Sequence, residues 1–227
     1  MNSIAETELP AVPIRFEQRL VDQSRDRSQP KRERTRFLFL SAIAEQLQAH
    51  SHSRLSVELI LDETGLSRGT FYNYFRDLDD AIFAVLKAFL ETWLAGRRDT
   101  KKKAGYEAIV ETNLFYCRSY EENAGLFAAI SYFSPRNQDL HALRQSINDE
   151  WVTKIVLSME RRRNEQFEAE ERLALEGQLR MLIAMSVETL QERFIYHDKV
   201  LCRSFPTVER LAQALSAIWQ DVMKLPE

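Results

Sequence analysis

The sequence predicts an all-α protein, a small N-terminal helical unit followed by a larger helical one, and three observations carry that prediction. Gly and Pro number only 6 each in 227 residues and cluster at the ends or sit singly between long periodic stretches. A β-rich chain needs far more turn residues. Apolar residues recur at three- and four-residue steps through most of the chain, and no segment alternates with period two over a useful length. With 44% hydrophobic and 29% charged residues, the composition is that of an ordinary globular protein.

Residues 1–30 mix Ser, Gln, Pro and charge without a helical period and read as a flexible arm. Arg25, Arg27, Lys31, Arg32, Arg34 and Arg36 face only Asp26 and Glu33, so the arm turns basic toward its end. A first helix is expected over Lys31–Ala49, with Phe37, Leu40, Ala44 and Leu47 on one face. Ser56 caps a short second helix ending at Thr64, Gly65 and Leu66 form a break, and Ser67 caps a third helix over Arg68–Phe75. A fourth begins after Asp77 and turns Ile82, Phe83, Leu86, Phe89, Leu90 and Trp93 inward. The polar stretch from Gly96 to Lys103 marks a boundary. Further helices are expected at Gly105–Ser119, Ala124–Phe133, Gln138–Arg163, Ala169–Tyr196 and Thr207–Lys224, with Pro135 and Pro206 in connections. The domain reading is an arm over 1–30, a three-helix unit over 31–76 and a helical unit over 77–227, joined by the helix at 77–95.

The second and third helices have the design of a groove-reading pair. A helix that enters the DNA major groove needs a partner held by a tight turn, one buried side, and a polar N-terminal end aimed at bases and phosphates. Gly65 permits the turn, while Leu66, Phe71 and Phe75 pin the third helix to the core. Ser67, Arg68, Gly69, Thr70, Tyr72, Asn73 and Tyr74 are left on or near the outer side, with Ser56 at the start of the preceding helix. Arg68 can pair bidentately with guanine and Asn73 with adenine. Gly69 and Thr70 let the backbone approach closely, and the tyrosines can donate hydroxyls to phosphates. Lys31, Arg32 and Arg34 are candidates to follow the backbone or enter a minor groove; a solvated basic tail is the plainer alternative.

Leu59–Phe75, read LILDETGLSRGTFYNYF, resembles the TetR family of bacterial transcriptional regulators, with weaker likeness from Arg34 to Leu90. Gly65, Leu66, Ser67, Thr70, Phe71, Tyr72 and Phe75 fall on that family's turn and recognition-helix positions. The sequence departs from the pattern at Leu61, where a small residue is usual, and at Leu78, where many members have a phosphate-binding Lys. Val57 and Glu58 also stand where Thr or basic residues often grip the backbone. The resemblance implies a homodimer built from the last two long helices and a small-molecule effector in the C-terminal unit.

The C-terminal residues fit those implications. Val208, Leu211, Ala212, Leu215, Ile218, Trp219 and Val222 form a continuous stripe, and the preceding long helix is apolar on more than one face, so one face can serve the core and another a partner. Trp93, Tyr116, Phe127, Tyr132, Trp151, Met181 and Met185 are candidate effector contacts, for a hydrophobic or aromatic effector; Phe115, Phe133 and Phe194 belong to the same set, and taken singly each is more readily read as core than as a ligand contact.

Catalytic patterns are missing: no G-x-S-x-G, no phosphate-cradling glycine loop, no H-E-x-x-H and no C-x-x-C. His50-x-His52 reads as a polar connector rather than a metal site, and His197-Asp198 as a helix terminus, so no metal, cofactor or catalysis is expected. Cys117 and Cys202 read as reduced packing residues. No apolar run reaches membrane-spanning length, and Met1–Pro10 carries Glu6 and Glu8 in place of a signal core, so a cytoplasmic location is expected. The expectation is a regulator, a repressor released from double-stranded operator DNA by its effector. The alternative is a helix-turn-helix protein controlled by a protein partner or without ligand.

Overall fold

In the computed structural model, which describes residues 15–49, 55–98 and 105–223, the first departure from expectation is a helix inside the supposed arm. Helix α1 (Phe16–Arg25) lies along α2 (Lys31–Ala49), and Phe16 and Leu20 are 3% and 2% exposed. Its one apolar turn was too short to register as a period, but the groove beside α2 gives those two side chains somewhere to go. Residues 1–14 of the expected arm, His50, His52 and the polar stretch 99–104 lie outside the described residues.

Helices α3 (Val57–Thr64) and α4 (Arg68–Tyr72) follow, joined by Gly65 at φ 67°. Helix α5 (Leu78–Arg98) starts where Asp77 Oδ1 accepts the amide of Asp80 at 2.8 Å. Helix α6 (Gly105–Phe133) joins two expected helices, and the break between them survives as a kink at Asn123 (φ −130°). A 3-10 turn (Ser134–Arg136) leads to α7 (Gln138–Arg163), α8 (Ala169–Phe194), a short unanticipated α9 (Lys199–Ser204) and α10 (Val208–Met223). The expected third helix ends early, at Tyr72, because the chain turns there to bury Phe75. Among the described residues there is no strand, no cluster of His, Cys, Asp and Glu able to hold a metal, and no helix long and apolar enough to cross a membrane.

One buried cluster runs without interruption from α1–α5 into α6 and α7. In the N-terminal unit Phe39 is its centre, meeting Phe71 at 5.6 Å, Tyr74 at 5.7 Å and Phe75 at 6.1 Å. A second cluster joins α7, α8 and α10 around Val156, Leu179 and Trp219. Trp219 Nε1 of this cluster donates to Ser186 Oγ at 2.9 Å, and elsewhere between α6 and α10 the buried Asn113 Nδ2 donates to Ser216 Oγ at 3.0 Å. Cys117 is fully buried, and desolvation pushes its thiol up to about 12, so it is a protonated packing residue near neutral pH.

The two units meet at the α6 kink. Gln48, near the end of α2, donates its amide to Glu122 O at 2.8 Å and accepts Leu126 N at 3.0 Å. Those are the two groups a regular helix would join to each other, so the inserted side chain completes the hydrogen bond that the kink opens. Asn123 Oδ1 accepts Phe16 N at 2.9 Å, tying the start of α1 to the same point. A Cβ on Gly125 would stand 2.4 Å from Leu47 O and 2.6 Å from Gln48 Cα. Gly125→Ala must therefore push backbone apart, at a cost of about 1–3 kcal/mol that outweighs the better helix propensity of alanine. Chemical denaturation should show that loss as a lower midpoint; a midpoint unchanged or raised would mean the two helices do not pack this closely.

Candidate nucleic-acid interface and effector cavity

Local sequence sets the end of the N-terminal unit that is the candidate DNA-facing surface. Ser56 Oγ accepts Leu59 N at 3.3 Å and Ser67 Oγ accepts Thr70 N at 3.2 Å, so both short helices are capped by their own sequence. Each cap is worth about 1 kcal/mol, a large share for helices of 8 and 5 residues. Thr70 Oγ1 shares a further 2.9 Å hydrogen bond with Ser67 Oγ. Phe71 is fully buried and faces Phe39, which leaves Arg68, Gly69, Tyr72 and Asn73 exposed together.

The expected DNA-facing residues divide three ways. Ser67, Arg68, Gly69, Tyr72 and Asn73 share one exposed surface, with Thr70 at its edge. Tyr74 stands apart: it is half-buried with its ring against Phe39 and Phe75. Lys31 and Arg32 are exposed at the first turn of α2, whereas Arg34 is half-buried, its Nε enclosed without a hydrogen-bond partner among the described residues. The turn before them is fixed by Asp26, whose carboxylate accepts Ser28 N at 2.9 Å; hydrogen bonding from the Ser28 side chain first, and from its amide second, holds the acid below its usual range.

Arg68 forms an ion pair with Glu58 of α3, a contact the sequence did not suggest. Both side chains are well exposed, so the pair is worth no more than about 1 kcal/mol. A bidentate contact with guanine discriminates by about 1–3 kcal/mol. The pair is therefore weak enough to be replaced by a base contact of the kind expected of Arg68. Gly69 carries a similar implication: a Cβ there would meet nothing nearer than Ser67 Oγ at 4.0 Å. Packing within the protein gives no reason for glycine, in contrast to Gly125.

The larger unit contains a cavity of about 70 Å³ lined by Leu90 and Trp93 of α5, Tyr116, Tyr120, Phe127, Ile130 and Ser131 of α6, Arg144, Ile147, Asn148 and Trp151 of α7, and Ile183 and Val187 of α8. An outer groove of about 330 Å³ adjoins it, sharing Arg144, Asn148, Ile183 and Val187 and adding Arg180, Glu188 and Gln191. The wall is aromatic and ordered. Tyr116 stacks on Trp151 at 5.0 Å, Trp93 meets Tyr116 edge-on at 4.9 Å, and Tyr120 stacks on Phe127 at 3.8 Å. Trp93 Nε1 is buried without an acceptor among the described residues. Burial raises the Tyr120 hydroxyl well above its usual range, so it remains a neutral phenol.

Four of the seven expected effector contacts, Trp93, Tyr116, Phe127 and Trp151, come together in this wall. Tyr132 is outside it, beneath the Arg136 guanidinium at 4.0 Å. Met185 packs half-buried between the two core clusters, and Met181 is 73% exposed on the outer side of α8. Arg144, Asn148 and Tyr120 were not anticipated. A polar residue amid helical charge carries no periodic signal, and Tyr120 fell in the gap between two expected helices.

Comparison with known proteins agrees with this fold. Residues 39–84 match the family model for bacterial regulatory proteins of the tetR family. No curated protein sequence matches the chain. Among solved structures, a protein from Syntrophomonas wolfei assigned to the TetR-family transcriptional regulators superposes with TM-score 0.60 at 14% identity, over 82% of this chain and 93% of that one. The fatty acid degradation regulator FadR from Bacillus halodurans gives 0.60 at 14%, over 84% and 95%. The dihydroxyacetone kinase operon activator DhaS gives 0.56 at 14%, over 84% and 96%.

Two substitutions separate reading from folding. Arg68→Ala should leave the unfolding midpoint within about 0.5 kcal/mol of the parent yet weaken specific DNA binding by about 1–3 kcal/mol. Gly69→Ala should keep or raise stability, since it improves helix propensity by about 1 kcal/mol, while weakening binding to specific DNA. Denaturation and mobility-shift titrations of the same preparations measure both, and unchanged DNA affinity in the two variants would remove α4 from the interface.

Proposed function

We propose that this chain, which carries a TetR-family DNA-binding domain at residues 39–84 and has the fold of TetR-family transcriptional regulators, is a homodimeric repressor released from its operator by a small hydrophobic or aromatic effector. The observation that carries the DNA-binding part is the capped, exposed face of α4, with Arg68, Gly69, Tyr72 and Asn73 on one side and Phe71 locked into the core. Lys31 and Arg32 add phosphate contacts in this reading, offsetting Glu58 and Leu78 at positions less suited to grip the backbone. The protein is not an enzyme in this reading, and it acts in the cytoplasm.

A pair of α4 helices reads two half-sites only if two copies associate. Leu173, Gly177, Met181 and Ala184 recur at four-, four- and three-residue steps on the exposed side of α8, and Ile218 and Val222 are exposed on α10. The opposite sides of both helices are buried in the chain's own core. This outward apolar surface supports a four-helix contact between copies, and it gives Met181 a place at that contact rather than in the cavity.

Release follows from volume. A cavity near 70 Å³ is smaller than the roughly 150 Å³ that takes up benzene, so an effector enters only if the aromatic wall on α5 and α6 moves. The effector then binds the opened state better than the closed one, which is the condition for shifting the equilibrium. Helix α6 is fastened to α2 through Gln48 and Gly125, and α5 continues directly from the reading unit, so displacement of either alters the spacing of the two α4 helices.

A mobility-shift assay with the chain's own upstream DNA tests the reading. A specific shift, lost on adding an aromatic or hydrophobic compound, is expected; no specific shift refutes it, and a shift insensitive to every such compound favours control by a protein partner or none. Met181→Glu combined with Ile218→Glu should convert a dimer to a monomer in light scattering and weaken operator binding at least 10-fold. A doubly substituted protein that still runs as a dimer would place the contact elsewhere.

A further inference from the structure

The effector cavity contains one cation whose pairing the fold leaves open. Arg144 lines both the aromatic cavity and the outer groove and is half-buried between them. Among the described residues it makes no hydrogen bond and no ion pair, and Asn148, one helical turn further along α7, likewise has no side-chain partner. The other charges on the rim are engaged. Arg180 pairs with Asp149, and Glu188, which lines only the outer groove, accepts Gln191 Nε2 at 3.5 Å. Helical neighbours one turn away could have supplied an acid for Arg144, but position 140 is leucine and position 148 asparagine.

A guanidinium partly withdrawn from water beside aromatic rings is costly unless an anion meets it, and its planar fork suits a carboxylate. We propose that the effector is a small carboxylate with an apolar body about the size of one aromatic ring, its carboxylate on Arg144 and its ring among Trp93, Tyr116 and Trp151. Asn148 donates a second hydrogen bond to the same group. The neutral Tyr120 hydroxyl adds no opposing charge to this end of the cavity. The inference rests on the reading of this cavity as the effector site and goes further in naming the ligand's charge, its shape and the residue that selects it.

Fluorescence titration of the full-length protein tests it, because Trp93 and Trp151 line the cavity. The probes are phenylacetate and phenylacetamide, which differ in charge far more than in size. Saturable quenching by phenylacetate is expected, with phenylacetamide at least about 10-fold weaker. Arg144→Gln should bring the two probes to within about twofold of each other, and Arg144→Lys should retain part of the preference. Equal binding of acid and amide by the parent protein, no saturable binding of either, or an undiminished acid preference in Arg144→Gln would each overturn the proposal. The broader reading is judged separately: it fails if the parent protein gives no specific operator shift, whichever probe binds.

Discussion

The closest approach between the N-terminal unit and the larger helical unit is the contact between Gly125 and the end of α2. Leu47 O and Gln48 Cα stand where a side chain on residue 125 would be, so the two helices touch backbone to backbone. The kink at Asn123 makes that approach possible, and the Gln48 amide satisfies the two main-chain groups that the kink separates. A buried amide and carbonyl left open would cost about 1–3 kcal/mol each, which makes this small device one of the larger local terms in the fold. The same point holds the start of α1 through Asn123. The N-terminal helices, α1 and the cavity wall are thereby tied together at this point, in addition to the core they share.

The arrangement gives physical content to communication between the units. Phe127 follows the kink by one turn and lies in the cavity wall, while it also meets Phe89 of α5 at 5.0 Å. Phe89 in turn meets Phe16 of α1 at 5.4 Å. In the proposed release, a ligand that displaces Phe127 would act on side chains of three helices that also bound the N-terminal unit. Packed aromatic interiors deform in discrete steps rather than continuously, which suits an on-or-off response. At the other end, the exposed Arg68–Glu58 pair is weak enough to yield to the base contact proposed for Arg68.

Much of this was legible in the sequence because it is written in periodicity and in capping residues. Helices α2 and α7 fall at their expected bounds, and Ser56, Ser67, Asp77 and Gly65 play their local parts. What could not be read depends on partners distant in the chain. Helix α1 is a single apolar turn whose stability comes from α2 and α5. Gln48 and Gly125 look like a surface polar residue and a helix flaw until they are brought together across 77 positions. Arg144 is one charge among many on α7 until the cavity appears beside it. The family pattern pointed to the face of α4 that the structure leaves exposed, but the pairing of Arg68 with Glu58 required both helices in place.

The account stands on α4 entering a major groove in each of two half-sites. Replacing Tyr72 with a photoreactive azidophenylalanine and mapping its cross-links on the chain's upstream DNA tests that most directly. The account predicts cross-links at two symmetry-related positions on the major-groove side, separated by about 34–36 Å or a multiple of it. Cross-links scattered without regard to sequence, or confined to one position, would contradict it.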